Sequence, residues 1–118
     1  MYKTKITEIG SMVNEFIQEK MLIVFNDNAP DALREMSVLH TIEVLNHAVK
    51  VDDIVVFGDK EYLVTAVGHE ANNTLETMGH CTFCFNGAET VQIPGQIELL
   101  GEEIPIVEVG FDFHIYST

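Results

Sequence analysis

The chain has 118 residues, 47% of them hydrophobic, and carries six basic against nineteen acidic side chains for a net charge of −13. That length and composition are expected to give one folded domain spanning residues 1–118, with a real core and no disorder. The charge excludes phosphate backbones and anionic membrane surfaces as partners, since both would be repelled. It favours long-range attraction to a basic protein, or it simply keeps a small protein soluble.

In chain order, "YKTKITEI" alternates as a strand and is closed by Gly10. Ser11 is placed to cap a short helix whose apolar stripe is Met12, Val13, Phe16 and Ile17. "MLIVFN" is a continuous apolar run, typical of a strand buried on both faces; "DNAP" breaks it, and Pro30 starts at most one helical turn through "DALREM". "MSVLHTIEV", residues 36–44, reads as a strand with Val38, His40, Ile42 and Val44 on one face. "DDIVVF" and "EYLVTAV", joined by "GDK", form a hairpin. "EANNTLETMG" is a second helix, with Gly79 ending it. The strand segments "HCTFCFNG", "TVQIPG", "QIELLG" and "VGFDFHIYST" complete the chain.

Turn signals recur about every eight to twelve residues, which predicts a mainly β fold: a small antiparallel barrel or barrel-like sandwich with one or two short helices. A parallel α/β sheet would need more crossover helices than the chain supplies. No apolar run approaches the roughly 20 residues of a membrane span. The N-terminal segment has no apolar stretch behind its positive charge, so a cytoplasmic location without membrane insertion is expected.

The chemistry-bearing residues are few. Glycine-rich phosphate loops and a GxSxG elbow are absent, and the carboxylates are scattered. In "HCTFC" a strand would point Cys81 and Cys84 to opposite faces, which suits neither a zinc site nor a disulfide, so no metal or cofactor is expected. His47 and His69 fall in or beside loops, and His114 alternates with Asp112 and Tyr116 on a polar strand face. His40 and His80 stand within or at the head of apolar strands. Each is either a core histidine bonded to a backbone carbonyl or a nucleophile held partly dry.

"MLIVF", "AP" and "VLH" at 38–40, then "VTAVG" at 64–68, "LETMGHCTFCFNG" at 75–87 and "IPGQIEL" at 93–99, occur in an order that resembles the glucitol/sorbitol-specific IIA component of the bacterial sugar phosphotransferase system. The resemblance runs over nearly the whole chain. It implies a barrel-like phosphocarrier that takes a phosphoryl group from HPr on a histidine, His40, and passes it to the sugar-specific IIB/IIC membrane components. Aliphatic neighbours such as Val38 and Ile42 would keep that ring neutral and nucleophilic. A phosphoryl group adds nearly two negative charges, and Lys3, Lys5, Lys20, Arg34, Lys50 and Lys60 are the cations available to offset them. His80, Thr41 and Arg34 are therefore the supporting candidates. Exposed strand edges leave room for a homodimer. The rival reading is a noncatalytic β-barrel module, binding a small ligand or a partner, with His40 in its core.

Overall fold

The computed structural model describes residues 2–118. Eight strands, β1 (Tyr2–Ile9), β2 (Met21–Asn26), β3 (Ser37–His40), β4 (Ile54–Phe57), β5 (Lys60–Val67), β6 (Cys81–Cys84), β7 (Gln96–Leu100) and β8 (Asp112–Tyr116), form a closed barrel. Their order around it is β1-β3-β2-β6-β7-β5-β4-β8. Three short helices decorate it: α1 (Val13–Gln18), α2 (Asp31–Arg34) and α3 (Ala71–Met78).

Alternation sets which side chains fill the interior. Tyr2, Thr4 and Ile6 of β1 are buried while Lys3, Lys5 and Thr7 point out, the period-two pattern of a half-buried strand. Leu22 and Val24, Val38, Phe57, Phe83 and Phe113 do the same from their own strands and meet inside. Phe57 and Phe113 stack at 5.1 Å and 6°, and Phe83 meets both edge-on at 5.6 and 5.8 Å. Such pairs add specific geometry to the area that they bury.

Two strand pairs depart from the antiparallel expectation. β2 runs parallel to β3, and β6 parallel to β7; the other six pairs are antiparallel. A parallel neighbour cannot be reached by a hairpin. The β2–β3 link therefore crosses over through α2. Residues 85–95 make the β6–β7 crossover, and this is why "TVQIPG" is a looped segment rather than a strand. Buried Glu98 holds that loop, accepting from the Ala88 N–H at 3.2 Å, while Thr65 donates to the Ala88 carbonyl at 2.7 Å.

β3 also ends earlier than its pattern predicts. Its neighbour β2 turns away after Asn26, where the Asp27 N–H bonds the His40 carbonyl at 2.8 Å. After Thr41, whose N–H still bonds the Lys5 carbonyl of β1 at 2.9 Å, the chain leaves the sheet, and Ile42 and Val44 are 55% and 74% exposed. The aliphatic stripe around His40 thus keeps Val38 and loses its other two members. The α1 N-cap is Met12 rather than Ser11, with no side-chain cap bond. Instead Gly10 lies so close to the Arg34 and Glu35 carbonyls that a side chain there would overlap backbone, and the Met12 N–H bonds the Glu35 carbonyl at 2.8 Å. Closure uses both edges of every barrel strand, which removes the free edges on which pairing between copies would rest.

Phe113 touches Tyr2, His40, Phe57 and Phe83 and is fully buried. Phe113→Ala is expected to cost about 3–5 kcal/mol, read as a lower denaturant midpoint at unchanged slope. A loss below about 1 kcal/mol would mean that the aromatic cluster is not what holds the barrel together.

Candidate functional site

The site forms where α3 hands over to β6. Ala71 and Leu75 bury one side of α3, and the helix stops at Gly79, which adopts the left-handed conformation at φ 61°. Glycine enters that region without the steric cost that a Cβ imposes. The Gly79 N–H bonds the Leu75 carbonyl at 3.0 Å and the His80 N–H bonds the Thr74 carbonyl at 3.1 Å. A Cβ at Gly79 would overlap the Asn26 amide oxygen and come within 2.8 Å of the His40 ring. The turn is therefore pressed onto both residues.

His80 emerges from this turn beside β2, since β6 begins opposite Val24. Its Nδ1 lies 3.1 Å from the Val24 carbonyl, and its ring stacks on Phe25 at 4.2 Å and 17°. A carbonyl can only accept, so Nδ1 carries the proton and the lone pair of a neutral ring is on Nε2. Among the described residues no group is hydrogen-bonded to Nε2. The residue is half-buried. Burial lowers its pKa below the usual imidazole value, opposed by the Val24 bond, which favours the neutral ring.

His40 is placed very differently. It is the last residue of β3, paired with Ile6 on one side and Asn26 on the other. Its ring points into the barrel against Phe113 at 5.1 Å and Tyr2 at 6.0 Å, and it is 0% exposed. Nδ1 is 2.9 Å from the Thr41 carbonyl and Nε2 is 2.8 Å from the Gly79 carbonyl. A neutral ring has one N–H for these two acceptors, whereas an imidazolium would satisfy both. Burial nevertheless dominates and lowers the pKa, against both carbonyl bonds and the charge of Asp27. His40 thus ties the end of β3 to the end of α3.

Of the other supporting candidates, Thr41 lies at the site and Arg34 is engaged elsewhere. Thr41 gives its carbonyl to His40, and its hydroxyl accepts the Lys5 N–H at 3.0 Å. The Arg34 guanidinium donates to the Asp27 carbonyl at 2.8 Å and pairs with Glu8 at 3.1 Å and Asp31 at 3.6 Å; it braces α2 against β1. His47 and His69 are exposed, and His114 lies 3.6 Å from Asp112. Cys81 is enclosed and Cys84 half-buried, both as free thiols; burial raises the first strongly and the second to about 11. Among the described residues no three His, Cys, Asp or Glu side chains are grouped to hold a metal.

Asn26 and Phe25 are the site residues that sequence reasoning passed over. Asn26 is 8% exposed, and its buried Oδ1 has no hydrogen-bond partner among the described residues. Its signal was a carboxamide ending an otherwise apolar run. The Val24 and Gly79 carbonyls, which orient the two rings, leave no trace in side-chain chemistry.

The two imidazoles make a definite pH dependence. Unfolded histidines titrate near pH 6.5, and those of the folded state lie lower. The unfolded chain therefore binds more protons just below pH 6.5, so stability is intact above that value and is lost as pH falls through the window beneath it. The half-exposed His114, also shifted down by burial, adds a smaller loss of the same sign. His40→Gln is expected to lower stability at pH 7.5 by about 1–3 kcal/mol while flattening the acid loss. Denaturant titrations from pH 7.5 to 5 check this, and an acid loss as steep as the parent's would contradict it.

Comparison with known proteins converges on one family. The family model described as the PTS system glucitol/sorbitol-specific IIA component matches residues 1–114. The chain is 34% identical over 101 residues to the PTS system glucitol/sorbitol-specific EIIA components of Shigella flexneri and of Escherichia coli (strain K12), covering 86% of this chain and 82% of each relative. Its fold is similar to the crystal structure of a PTS system IIA component from Enterococcus faecalis V583, with a TM-score of 0.86 at 27% identity, over 98% of this chain and 99% of that one. A mainly β closed barrel, with imidazoles gathered where α3 meets β6, therefore belongs to the glucitol/sorbitol-specific IIA component family of the sugar phosphotransferase system.

Proposed function

We propose that the protein relays a phosphoryl group during polyol uptake, accepting it from phosphorylated HPr on a histidine and delivering it to the IIB component of the glucitol/sorbitol transporter. Family membership supports the relay. The observation that carries the chemistry is a half-buried ring with one nitrogen bound to a carbonyl and the other bare, packed against the turn that a second imidazole ties down. The sequence resemblance points to His40 as the acceptor, with His80, Thr41 and Arg34 in support.

In the transfer from HPr an imidazole lone pair of this protein attacks phosphorus in line, forming one N–P bond as the donor's N–P bond breaks. The electron pair of the broken bond returns to the donor ring. Bonds of the same kind are made and broken, so the step consumes no nucleotide, and positioning supplies most of the catalysis. A ring whose proton is fixed on one nitrogen presents its lone pair without reorganising.

One observation favours a second reading, a noncatalytic binding module: the complete enclosure of His40. Intact mass after incubation with enzyme I, HPr and phosphoenolpyruvate separates the two. The relay gains one acid-labile phosphoryl group, and a folded His40→Ala/His80→Ala double variant gains none. An unlabelled parent would leave the binding module.

The net charge of −13 carries a kinetic expectation. Attraction to a basic donor face should accelerate encounter and be screened by salt, with a Debye length of about 8 Å at physiological strength. Stopped-flow transfer from HPr under dilute conditions should slow as ionic strength rises, with dissociation changing less. A flat association rate would assign the acidity to solubility alone.

A further inference from the structure

We propose that the carboxamide of Asn26 holds the phosphoryl group on His40, its Nδ2 donating to the phosphoryl oxygens in place of a cation. The inference rests on the relay function above, with His40 as the acceptor.

Strand register puts the two side chains together. Asn26 and His40 are partners on the parallel strands β2 and β3, two residues beyond Val24 and Val38, which are partners in the core. Side chains two apart share a strand face, so Asn26 and His40 form the next layer at the barrel end. Gly79 shows how near they come. A Cβ there would strike Asn26 Oδ1 and lie 2.8 Å from His40 Cε1. Cε1 is bonded to both ring nitrogens, so the carboxamide reaches the edge of the ring where phosphorus must bind.

The carboxamide is not used to hold the fold. Asn26 is 8% exposed, and its Oδ1 has no partner among the described residues, an uncommon state that costs stability. The bonds that the two histidines make, to Thr41, Gly79 and Val24, leave it out. A half-turn about its last side-chain bond exchanges Oδ1 and Nδ2 and gives up no bond at Oδ1.

The other nearby groups are poorly suited to the task. Arg34 is held by the Asp27 carbonyl, Glu8 and Asp31. A neutral His80 keeps its proton against the Val24 carbonyl and offers only a lone pair. The Thr41 hydroxyl meets the Lys5 N–H of β1. Asn26 brings two N–H donors without a charge.

The same geometry explains how a sealed ring can react. Neutral His40 has one N–H for two carbonyls, so one nitrogen faces its oxygen lone pair to lone pair. That contact holds the ring least, and its nitrogen is the one able to attack. Parting it breaks no hydrogen bond. The His40 lone pair then forms the new N–P bond while the donor's N–P bond breaks and leaves its electron pair on the donor imidazole. Asn26 gives a hydrogen bond to a phosphoryl oxygen and keeps both of its protons.

Two variants and one spectrum test this. Asn26→Leu removes an unpartnered polar group, so its denaturant midpoint should equal or exceed the parent's. It should nonetheless accept phosphoryl from phosphorylated HPr about tenfold more slowly or worse, a loss of about 1.4 kcal/mol, and its phosphorylated form should hydrolyse faster. Asn26→Asp, of the same shape, sets a carboxylate against the phosphoryl oxygens and should be slower still. In 15N-labelled parent the Asn26 side-chain amide protons should move downfield and exchange more slowly on phosphorylation. Parent-like transfer and lifetime in both variants, or Asn26 amide signals unmoved by phosphorylation, would overturn the assignment and leave the relay intact. A parent that takes no phosphoryl would overturn both. If the variants fail to fold, the amide signals of the parent decide alone.

Discussion

The hydrogen bond between the His40 ring and the Gly79 carbonyl is the constraint on which the end of the barrel depends. It joins β3 to the C-terminus of α3 at 2.8 Å, between residues 39 positions apart. That contact is possible because Gly79 has no side chain: a Cβ would strike both Asn26 and His40. Once the turn is seated, His80 has one direction in which to leave it, alongside β2, and its ring meets the Val24 carbonyl and Phe25. Tertiary packing thereby selects a tautomer, and the tautomer selects which nitrogen is basic. The same lock leaves His40 short of one N–H when neutral, since two carbonyls compete for it. Burying that mismatch is costly, and it is confined to the residue that closes the site.

Much of this was legible in the sequence. Alternation in "YKTKITEI" fixes the inward Tyr2, Thr4 and Ile6, and the "GDK" hairpin and the Gly79 helix stop are as their turn chemistry demands. What escaped was set by contacts distant along the chain. The parallel β2–β3 and β6–β7 pairs need only short crossovers, the first through the single turn of α2 and the second irregular, so the rule that parallel strands bring long helices did not reveal them. The strand around His40 ends because its neighbour β2 turns away, not because of anything in "TIEV" itself. For the site, both histidines stood out as polar residues at apolar strands, yet the pattern could not rank them. Their difference lies in backbone carbonyls supplied by Val24, Thr41 and Gly79, which no side-chain motif encodes.

Electrostatics sets the remaining problem. A doubly charged group arriving on an acidic protein finds little compensating charge. Arg34 is held by Asp27, Glu8 and Asp31, and Lys5, Lys50 and Lys60 sit on Asp112, Asp53 and Glu103. Neutral donors are the alternative. The Asn26 carboxamide oxygen, which lies against the turn and has no hydrogen-bond partner among the described residues, only accepts and is not such a donor. A carrier that holds its cargo without strong cations can also release it to the next protein. Weak stabilisation and rapid onward transfer are compatible properties of a relay.

The account turns on which nitrogen is basic before transfer and bonded to phosphorus after it. Histidine-selective 15N NMR, recorded on the free and the phosphorylated protein, reads both. The predicted result is a free His80 ring that is neutral and protonated at Nδ1, with phosphorus coupling at one histidine nitrogen after reaction with phosphorylated HPr. A free His80 protonated at Nε2, or no phosphorus coupling at any histidine, would contradict it.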